Sequence, residues 1–195
     1  MRLFIALDID EAIRERIQLF MNGVSGFAPE ARWVKPESLH VTIKFVGEKP
    51  AETVDAIKEA LVSLQAPPFE VTFHGSGFFP NPKAPRVFWV GIESGPVLAT
   101  LASVVDEAMA TCGVPKEIHA FSPHLTLARS GRGSGAPTRQ KGDGPNNIFQ
   151  RLQEKLAARH VPEFGTMRAH DFFLYQSQLS PGGSRYTKLE RFPLR

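Results

Sequence analysis

Cysteine is almost absent from this chain of 195 residues, in which Cys112 is the single thiol. One thiol excludes an internal disulfide and any zinc site built from several cysteines, and it fits a reducing compartment. Long apolar runs are also missing, and no segment approaches the roughly 20 apolar residues that a membrane helix needs. Asp8 and Asp10 cut the apolar N-terminus short of a signal peptide. We therefore expect a soluble, cytoplasmic protein that makes no contact with a membrane.

Neither sign of charge dominates the sequence. Lys and Arg number 23 against 20 Asp and Glu, which gives a net charge of +3 at pH 7. This small excess is compatible with a polyanionic ligand but does not require one. The hydrophobic content of 42% is sufficient for a buried core. Length and composition together predict one domain, or two small lobes that share an interface.

One short pattern occurs twice, as His40-Val41-Thr42-Ile43 and as His124-Leu125-Thr126-Leu127. Strict alternation predicts a strand, with the histidine and the threonine on one face. Imidazoles titrate near neutrality and the hydroxyls donate hydrogen bonds, so the pattern suits proton transfer around a phosphodiester without a metal. The alternative is two ordinary strands whose histidines are structural or solvated.

Convergence of the two strands on one cleft would bring together His40, Thr42, His124 and Thr126. A phosphodiester held there would accept hydrogen bonds from the hydroxyls and would favour protonation of one imidazole. One histidine would then act as the acid and the other as the base, an arrangement that suits the opening of a 2′,3′-cyclic phosphate. The two similar motifs do not themselves indicate which histidine is the acid.

The fifth residue after each histidine differs between the copies, since it is Phe45 in the first and Arg129 in the second. This difference predicts a division of labour, in which Phe45 stacks on a base and Arg129 binds the phosphate. The alternation of side chains along a strand opposes this prediction, because it places the fifth residue after each histidine on the apolar face. Both residues reach the cleft only beyond the strand end or after a β-bulge. Core packing is the alternative for Phe45, whereas a ligand or surface role is favoured for Arg129, because a buried unpaired charge is costly.

Apolar periodicity divides the rest of the chain into strands and helices. Helical spacing predicts four helices, with Asp10 as the N-cap of the first and Asn146 or Asn147 as the N-cap of the fourth. Residues 75–82 are predicted as a loop. Beyond an opening strand, strand-like runs lie at residues 32–34, 39–46, 69–73, 87–92, 168–175 and 185–190. Each half of the chain holds helices, a hairpin-like pair and one His-Thr strand, which predicts an α+β fold of two similar lobes.

Residues 130–145 are rich in Gly, Ser, Pro, Arg and Lys, which predicts a mobile, basic surface loop. Its charge fits a solvated excursion better than a dedicated RNA clamp. The histidines outside the two motifs show no metal-ligand spacing with a carboxylate and are predicted to be structural or surface residues; they are His74, His119, His160 and His170. We expect neither a metal nor another cofactor.

Landmarks along nearly the whole chain resemble the two-histidine phosphoesterases, and within them the RNA 2′,3′-cyclic phosphodiesterases long called 2′-5′ RNA ligases (LigT-like). Besides the two motifs, the landmarks are Arg2-Leu3-Phe4-Ile5-Ala6, Arg32-Trp33-Val34, Glu37-Ser38-Leu39, Lys44-Phe45-Val46-Gly47, Phe79-Pro80, Pro85-Arg86-Val87, Phe121-Ser122-Pro123 and Leu174-Tyr175-Gln176-Ser177, with Gly183, Tyr186 and Phe192-Pro193-Leu194 at the end. The resemblance implies an α+β fold of two antiparallel-sheet lobes with outer helices, related by pseudo-twofold symmetry around a central cleft. Residues 1–195 would form this single bilobal domain.

The resemblance also implies metal-independent hydrolysis of a terminal 2′,3′-cyclic phosphate to a 2′-phosphate, with a weak, reversible 2′-5′ ligation. It assigns His40 as the proton donor and His124 as the proton acceptor. Arg129 would bind the phosphate together with Thr42 and Thr126, and Phe45 would lie against the base. The expected partner is RNA with a 2′,3′-cyclic phosphate end, tRNA fragments included, and no obligate protein partner. A noncatalytic RNA-binding module and a hydrolase of another small cyclic phosphate stay open as alternatives.

Overall fold

The computed structural model describes residues 1–131, 147–180 and 183–195. Nine strands and four helices lie within these residues. In chain order they are β1 (Arg2–Leu7), α1 (Glu11–Val24), β2 (Arg32–Trp33), β3 (Val41–Glu48), α2 (Val54–Val62), β4 (Phe69–Phe79), β5 (Val87–Glu93), α3 (Gly95–Thr111), β6 (His124–Arg129), α4 (Gln150–Ala157), β7 (Glu163–Ala169), β8 (Asp171–Ser180) and β9 (Gly183–Pro193). No helix in the described part of the chain is long and apolar enough to cross a membrane.

The strands form one antiparallel sheet in the order β7-β4-β5-β6-β3-β1-β8-β9, and β2 pairs with β6 beside β3. Two groups of four strands can be recognised in this order. They join where Val41 on β3 pairs with Leu125 on β6. The two His-Thr strands are therefore the inner strands of the two groups and lie side by side. The predicted α+β fold with two antiparallel lobes is confirmed.

Each lobe is built from both halves of the chain. β4, which follows α2, pairs with β5 and β7 in the second lobe, whereas β8 pairs with β1 in the first. The helices cross in the same way, because α1 packs against β7 and α3 packs against β3. The order of elements predicted that each half of the sequence forms one lobe, and this prediction is wrong. Instead, the halves exchange strands and helices around the central β3–β6 junction.

The two faces of the sheet differ. On β1, Leu3, Ile5 and Leu7 are buried in the main core, to which the helices contribute their apolar faces. The alternate residues Phe4 and Ala6 belong to a separate aromatic cluster with Tyr175, on the opposite face. The helices therefore cover one face of the sheet and leave the other face, which carries His40 and Thr42, available for a cleft.

Two predicted element boundaries are wrong for local reasons. β4 continues to Phe79, so the first residues of the predicted loop 75–82 are strand. Gly75 is an extra residue in the pairing with β5 and has a φ of +70°, and this glycine bulge lets the strand continue. The predicted strand 168–175 is two strands, since β7 ends at Ala169 and β8 begins at Asp171.

The predicted helix caps also differ from the structure. Asp10 is the N-cap residue of α1, but its side chain makes no capping hydrogen bond. The N-cap of α4 is Phe149 rather than an asparagine, and Asn147 contributes only its carbonyl, which accepts the N–H of Gln150 at 3.1 Å. Asn146 lies outside the described residues, as does the predicted basic loop 130–145 from residue 132 onward.

Candidate active site

The two motif histidines have the same backbone partner. His40 Nδ1 lies 2.7 Å from the carbonyl oxygen of Ser38, and His124 Nδ1 lies 2.8 Å from that of Ser122. A carbonyl only accepts, so each Nδ1 carries the hydrogen and donates it. In the neutral state, each Nε2 is then the free base of the ring. The sequence holds a signal for this arrangement that we did not use, since a serine precedes each histidine by two positions.

The strand junction brings both motifs to one cleft. Because β3 and β6 run antiparallel with Val41 opposite Leu125, the histidine of each motif is placed beside the threonine of the other. All four side chains line one cleft of about 430 Å³. The full lining is Arg2, Leu3, Phe4, Arg32, Trp33, Val34, Lys35, Ser38, His40, Thr42, Phe45, His124, Thr126, Arg129, Ser177, Gly183, Ser184 and Tyr186. Every residue that the sequence marked as a site residue is among them.

Each motif contains a β-bulge three residues after its histidine. The bulge moves the fifth residue after the histidine from the apolar face, where simple alternation places it, to the cleft face. Ile5 pairs with Lys44 and Ala6 with Thr42, which leaves Ile43 as an extra residue. Both Ile43 and Lys44 are buried on the core face, so Phe45 returns to the cleft face.

The second motif repeats this geometry. Phe88 pairs with Ala128 and Trp89 with Thr126, and Leu127 is the extra residue. Leu127 and Ala128 are both fully buried, and Arg129 therefore lies in the cleft. Phe45 and Arg129 thus occupy equivalent places beside the two histidines.

Arg129 stands among other cations. Its pKa is lowered chiefly by burial, against an upward effect of Tyr186, and the nearby charges of Arg32 and Arg2 lower it further. Lys35 also lines the cleft. Several positive charges that are brought together and partly desolvated are stabilised by an anion. The cleft is therefore electrostatically suited to a phosphate group.

Burial lowers the pKa of both motif histidines. For His40 the pKa falls to about 4, because burial outweighs the hydrogen bond to Ser38, and the charge of Arg129 adds to the fall. The pKa of His124 is also lowered by burial, again against its hydrogen bond to Ser122 and with Arg129 contributing. Both imidazoles are consequently neutral in the free protein near pH 7, and a bound anion would favour protonation of one of them.

Aromatic rings hold both imidazoles in place. Phe4 and Tyr186 lie 4.8 and 5.2 Å from the ring of His40, with Tyr186 edge-on. Phe79 lies edge-on to His124 at 4.9 Å. We did not predict these contacts from the sequence. Tyr186 comes from β9, far from His40 in sequence, and only the strand order brings the two together.

A buried ion pair lies beneath the first bulge. The Nζ of Lys44, a side chain that is only 2% exposed, lies 2.6 Å from Asp106 Oδ1 on α3 and 3.0 Å from Glu117 Oε1. It also donates to the carbonyl of Pro115 at 2.8 Å. All three ammonium hydrogens thus have an acceptor. These contacts tie the strand of the first motif to the segment that leads to the second.

The remaining histidines lie outside the cleft lining. His74 is half-exposed, and its Nε2 is 3.4 Å from Glu93. Within residues 1–131, 147–180 and 183–195, no three His, Cys, Asp or Glu side chains come together as a metal-binding group. The absence of a cofactor stays a prediction.

Comparison with known proteins decides the family. The sequence profile of LigT-like phosphoesterases matches the chain twice in succession, over residues 7–89 and 90–186. The chain belongs to the LigT-like phosphoesterase family. The prediction of a phosphoesterase enzyme from the two motifs is thereby confirmed. The double match agrees with the paired β-bulges, since each matched segment contains one motif.

Similar proteins span the whole length of this LigT-like phosphoesterase. It is 34% identical to the RNA 2′,3′-cyclic phosphodiesterase of Archaeoglobus fulgidus, with 98% of this chain and 99% of the relative covered. It is 31% identical to the protein of the same name from Methanothermobacter thermautotrophicus, over 99% and 98% of the two chains. Among solved structures, E. coli LigT complexed with 3′-AMP superposes with a TM-score of 0.76 at 28% identity, over 99% and 97% of the chains.

Proposed function

We propose that this protein hydrolyses the 2′,3′-cyclic phosphate at the end of an RNA strand to a 2′-phosphate, without a metal, using His40 as the acid and His124 as the base. One observation carries the proposal: two imidazoles with the same Nδ1–H tautomer line one cationic cleft. The name shared by full-length relatives, RNA 2′,3′-cyclic phosphodiesterase, supports the same substrate class.

The proposed reaction needs one proton removed and one delivered. Nε2 of neutral His124 takes a proton from water as the water oxygen forms a bond to phosphorus. The bond from phosphorus to the 3′ oxygen breaks, and protonated His40 delivers its Nε2 proton to that oxygen. The product carries a 3′-hydroxyl and a 2′-phosphate, and the two histidines exchange their protonation states. Solvent restores the starting state.

The other cleft residues have roles that follow from their positions. Thr42 and Thr126 donate their hydroxyl hydrogens to the nonbridging oxygens of the phosphate. The planar guanidinium of Arg129 stabilises the charge that develops on these oxygens during attack. Phe45, 41% exposed at the cleft, offers a face on which the terminal base stacks.

The same groups support a weak ligation. If the 5′-hydroxyl of a second RNA strand replaces water, His124 removes its proton and the product is a 2′-5′ linkage. Water competes at far higher concentration, so hydrolysis dominates. The proposed substrates are RNA ends in general and include tRNA fragments, and the reaction requires no protein partner.

The function is tested with purified protein in EDTA and an oligoribonucleotide that ends in a 2′,3′-cyclic phosphate. We expect the substrate to gain the mass of one water, and ³¹P NMR to locate the phosphate on the 2′ oxygen. A 3′-phosphate product, or activity that EDTA abolishes and zinc or magnesium restores, would contradict the proposed mechanism. A cyclic mononucleotide assayed in parallel distinguishes RNA ends from small cyclic phosphates, and binding without turnover would identify a noncatalytic module.

A further inference from the structure

The two motifs match closely, but the residues opposite their histidines differ. Gly91 on β5 pairs with His124. In the first lobe Leu7 pairs with Val41, and continuation of this antiparallel register by one residue places Asp8 opposite His40. One histidine therefore has a carboxylate as its cross-strand neighbour, and the other has a glycine.

The backbone itself enforces this difference. A Cβ atom at Gly91 would lie 2.6 Å from the carbonyl oxygen of His74, far inside van der Waals contact. The obstructing atom belongs to the backbone of β4, so it cannot move aside as a flexible side chain would. No side chain fits opposite His124, and the two halves of the site cannot become equivalent.

The carboxylate of Asp8 accepts three hydrogen bonds. Its Oδ1 accepts hydrogen bonds from the amide of Ile9 at 2.9 Å and from Nη2 of Arg14 at 2.7 Å, and Oδ2 accepts one from Lys188. Burial acts to raise the pKa of Asp8, but the hydrogen bonds from Lys188 and Ile9 and the charges of Lys188 and Arg14 hold it below the usual value. Asp8 is therefore ionised near neutral pH.

Arg14 and Lys188, the cationic partners of Asp8, are each close to a group that contacts His40. Arg14 also donates to the carbonyl of Pro36 at 2.6 Å, which fixes the turn Pro36–Ser38. That turn ends at Ser38, whose carbonyl accepts the Nδ1 hydrogen of His40. Lys188 lies on β9 two residues after Tyr186, whose ring is edge-on to His40. Asp8 thus supports the position of His40 from both sides.

The charged and titratable groups around His40 come from three strands and from the residue that follows β1. Asp8 directly follows β1, Arg129 and His124 lie on β6, Tyr175 on β8 and Tyr186 on β9. Arg129 and His124 oppose a proton on His40, whereas the charge of Asp8 favours it. For His124, burial and Arg129 oppose the proton, and the hydrogen bond to Ser122 favours it. Each histidine has a backbone hydrogen bond that favours its proton, and His40 alone has in addition a negative charge that favours it, that of Asp8.

We propose that Asp8 is a positioning residue that selects His40, rather than His124, as the proton donor. It does so without contact to the substrate, through its negative charge and through the Arg14 and Lys188 contacts. The inference rests on the proposed function, because it assigns the two roles within that reaction. In the complex, the bound phosphate adds its own negative charge, and Asp8 determines which imidazole keeps the extra proton.

The first test is the pH dependence of kcat for the cyclic phosphate in Asp8→Asn. A general acid must be protonated, so the rate falls on the alkaline side as pH rises above its pKa in the complex. Removal of the negative charge lowers the pKa of the acid, and we expect the alkaline limb to move to lower pH by roughly one unit. Movement of the acid limb instead would make His40 the base, and two unmoved limbs would show that Asp8 has no influence on the proton. Either result overturns the inference.

Lys188→Met is the matched control. It breaks the same Asp8–Lys188 pair but leaves the carboxylate in place, so we expect its alkaline limb not to move to lower pH. A downward shift of equal size in both variants would show that the limb reports structural damage rather than the charge of Asp8, and would overturn the inference.

A titration of the imidazole resonances by NMR in the free protein needs no substrate. We expect the pKa of His40 to fall in Asp8→Asn, while that of His124 stays as in the wild type. Equal changes at both histidines, or none at His40, would contradict the role of Asp8. If the wild type fails to open the cyclic phosphate, the proposed function fails, and this titration still measures the effect of Asp8 on His40.

Discussion

Ile43 and Leu127 are the extra residues of two β-bulges that occupy the same place in the two motifs, three positions after each histidine. Each bulge places two consecutive residues in the core, and so returns the fifth position to the cleft. This geometry gives Phe45 and Arg129 equivalent positions with different chemistry. Substitutions at these two residues should therefore have different kinetic effects.

Phe45→Leu should raise KM for the cyclic-phosphate end and change kcat little. Leucine keeps an apolar side chain but loses the flat face on which a base stacks, and stacking contributes about 1–3 kcal/mol per base. Steady-state kinetics should show a KM increase of up to roughly 5- to 150-fold at an unchanged melting temperature. A normal KM would mean that Phe45 does not touch the base.

Arg129→Lys should lower kcat/KM by about 10²-fold, and Arg129→Ala should lower it further. Lysine keeps the charge but loses the fork of donors that matches two phosphate oxygens. Both variants should melt close to the wild type, since Arg129 faces the cleft. A low melting temperature with normal turnover per folded molecule would show instead that Arg129 braces the sheet.

His40→Ala and His124→Ala should each reduce kcat by about 10²- to 10⁴-fold, the usual contribution of a general acid or base. The double variant should lose little more than the worse single variant, because the two groups act in one step. Thr42→Val, which removes only a hydroxyl, serves as the milder comparison, since water can replace part of its hydrogen bonding. Near-normal turnover in either alanine variant would contradict the paired-histidine mechanism.

The stability of the free protein should fall as the pH drops from about 6.5 towards 4. The pKa of His40 is about 4 in the folded protein, against 6.5 for an ordinary histidine, so within this range the unfolded chain binds the extra proton. The loss from this one group is at most about 3 kcal/mol. Urea unfolding at several pH values should show the slope, and His40→Gln should reduce it. An equal slope in the variant would assign the effect to other groups.

Lys44→Met should lower the free energy of unfolding by about 3–5 kcal/mol, because Asp106 then keeps a partly buried charge without its cation. Lys44→Met combined with Asp106→Leu should recover much of this loss, since an apolar pair replaces the ion pair. Urea unfolding of the two single variants and the double variant forms a cycle that measures the coupling. Additive losses would show that the two residues are not energetically coupled.

The sequence predicted the part of the site that depends on local patterns. Alternation in the two motifs was sufficient to place His40, Thr42, His124 and Thr126 on strand faces. The bulges were not predictable, because an extra residue is defined by the register against β1 and β5, which a local pattern does not contain. Alternation alone therefore did not determine whether Phe45 and Arg129 face the cleft or the core. The strand pairing was needed for that.

Long-range strand pairing explains the other omissions. Tyr186 approaches His40 only because β8 and β9 close the first lobe beside β1, and Asp8 does so because β1 pairs with β3. The exchange of strands between the halves was likewise not predictable, because the local sequence patterns of β4 and β8 do not indicate which lobe each strand joins. Gly75 marked a turn in the sequence, yet in the structure it forms a bulge within a longer strand.

The pairing of Phe4 with Tyr175 joins β1 to β8, two strands that lie far apart in the sequence. During synthesis on the ribosome, β1 emerges long before β8, and until β8 is present one edge of β1 is uncovered. An uncovered apolar edge strand is a template for pairing with other chains. Nascent chains that stall before residue 171 should therefore be prone to aggregation and without a complete cleft. The cleft is complete only after β8 and β9 have been synthesised, since both strands contribute to its lining.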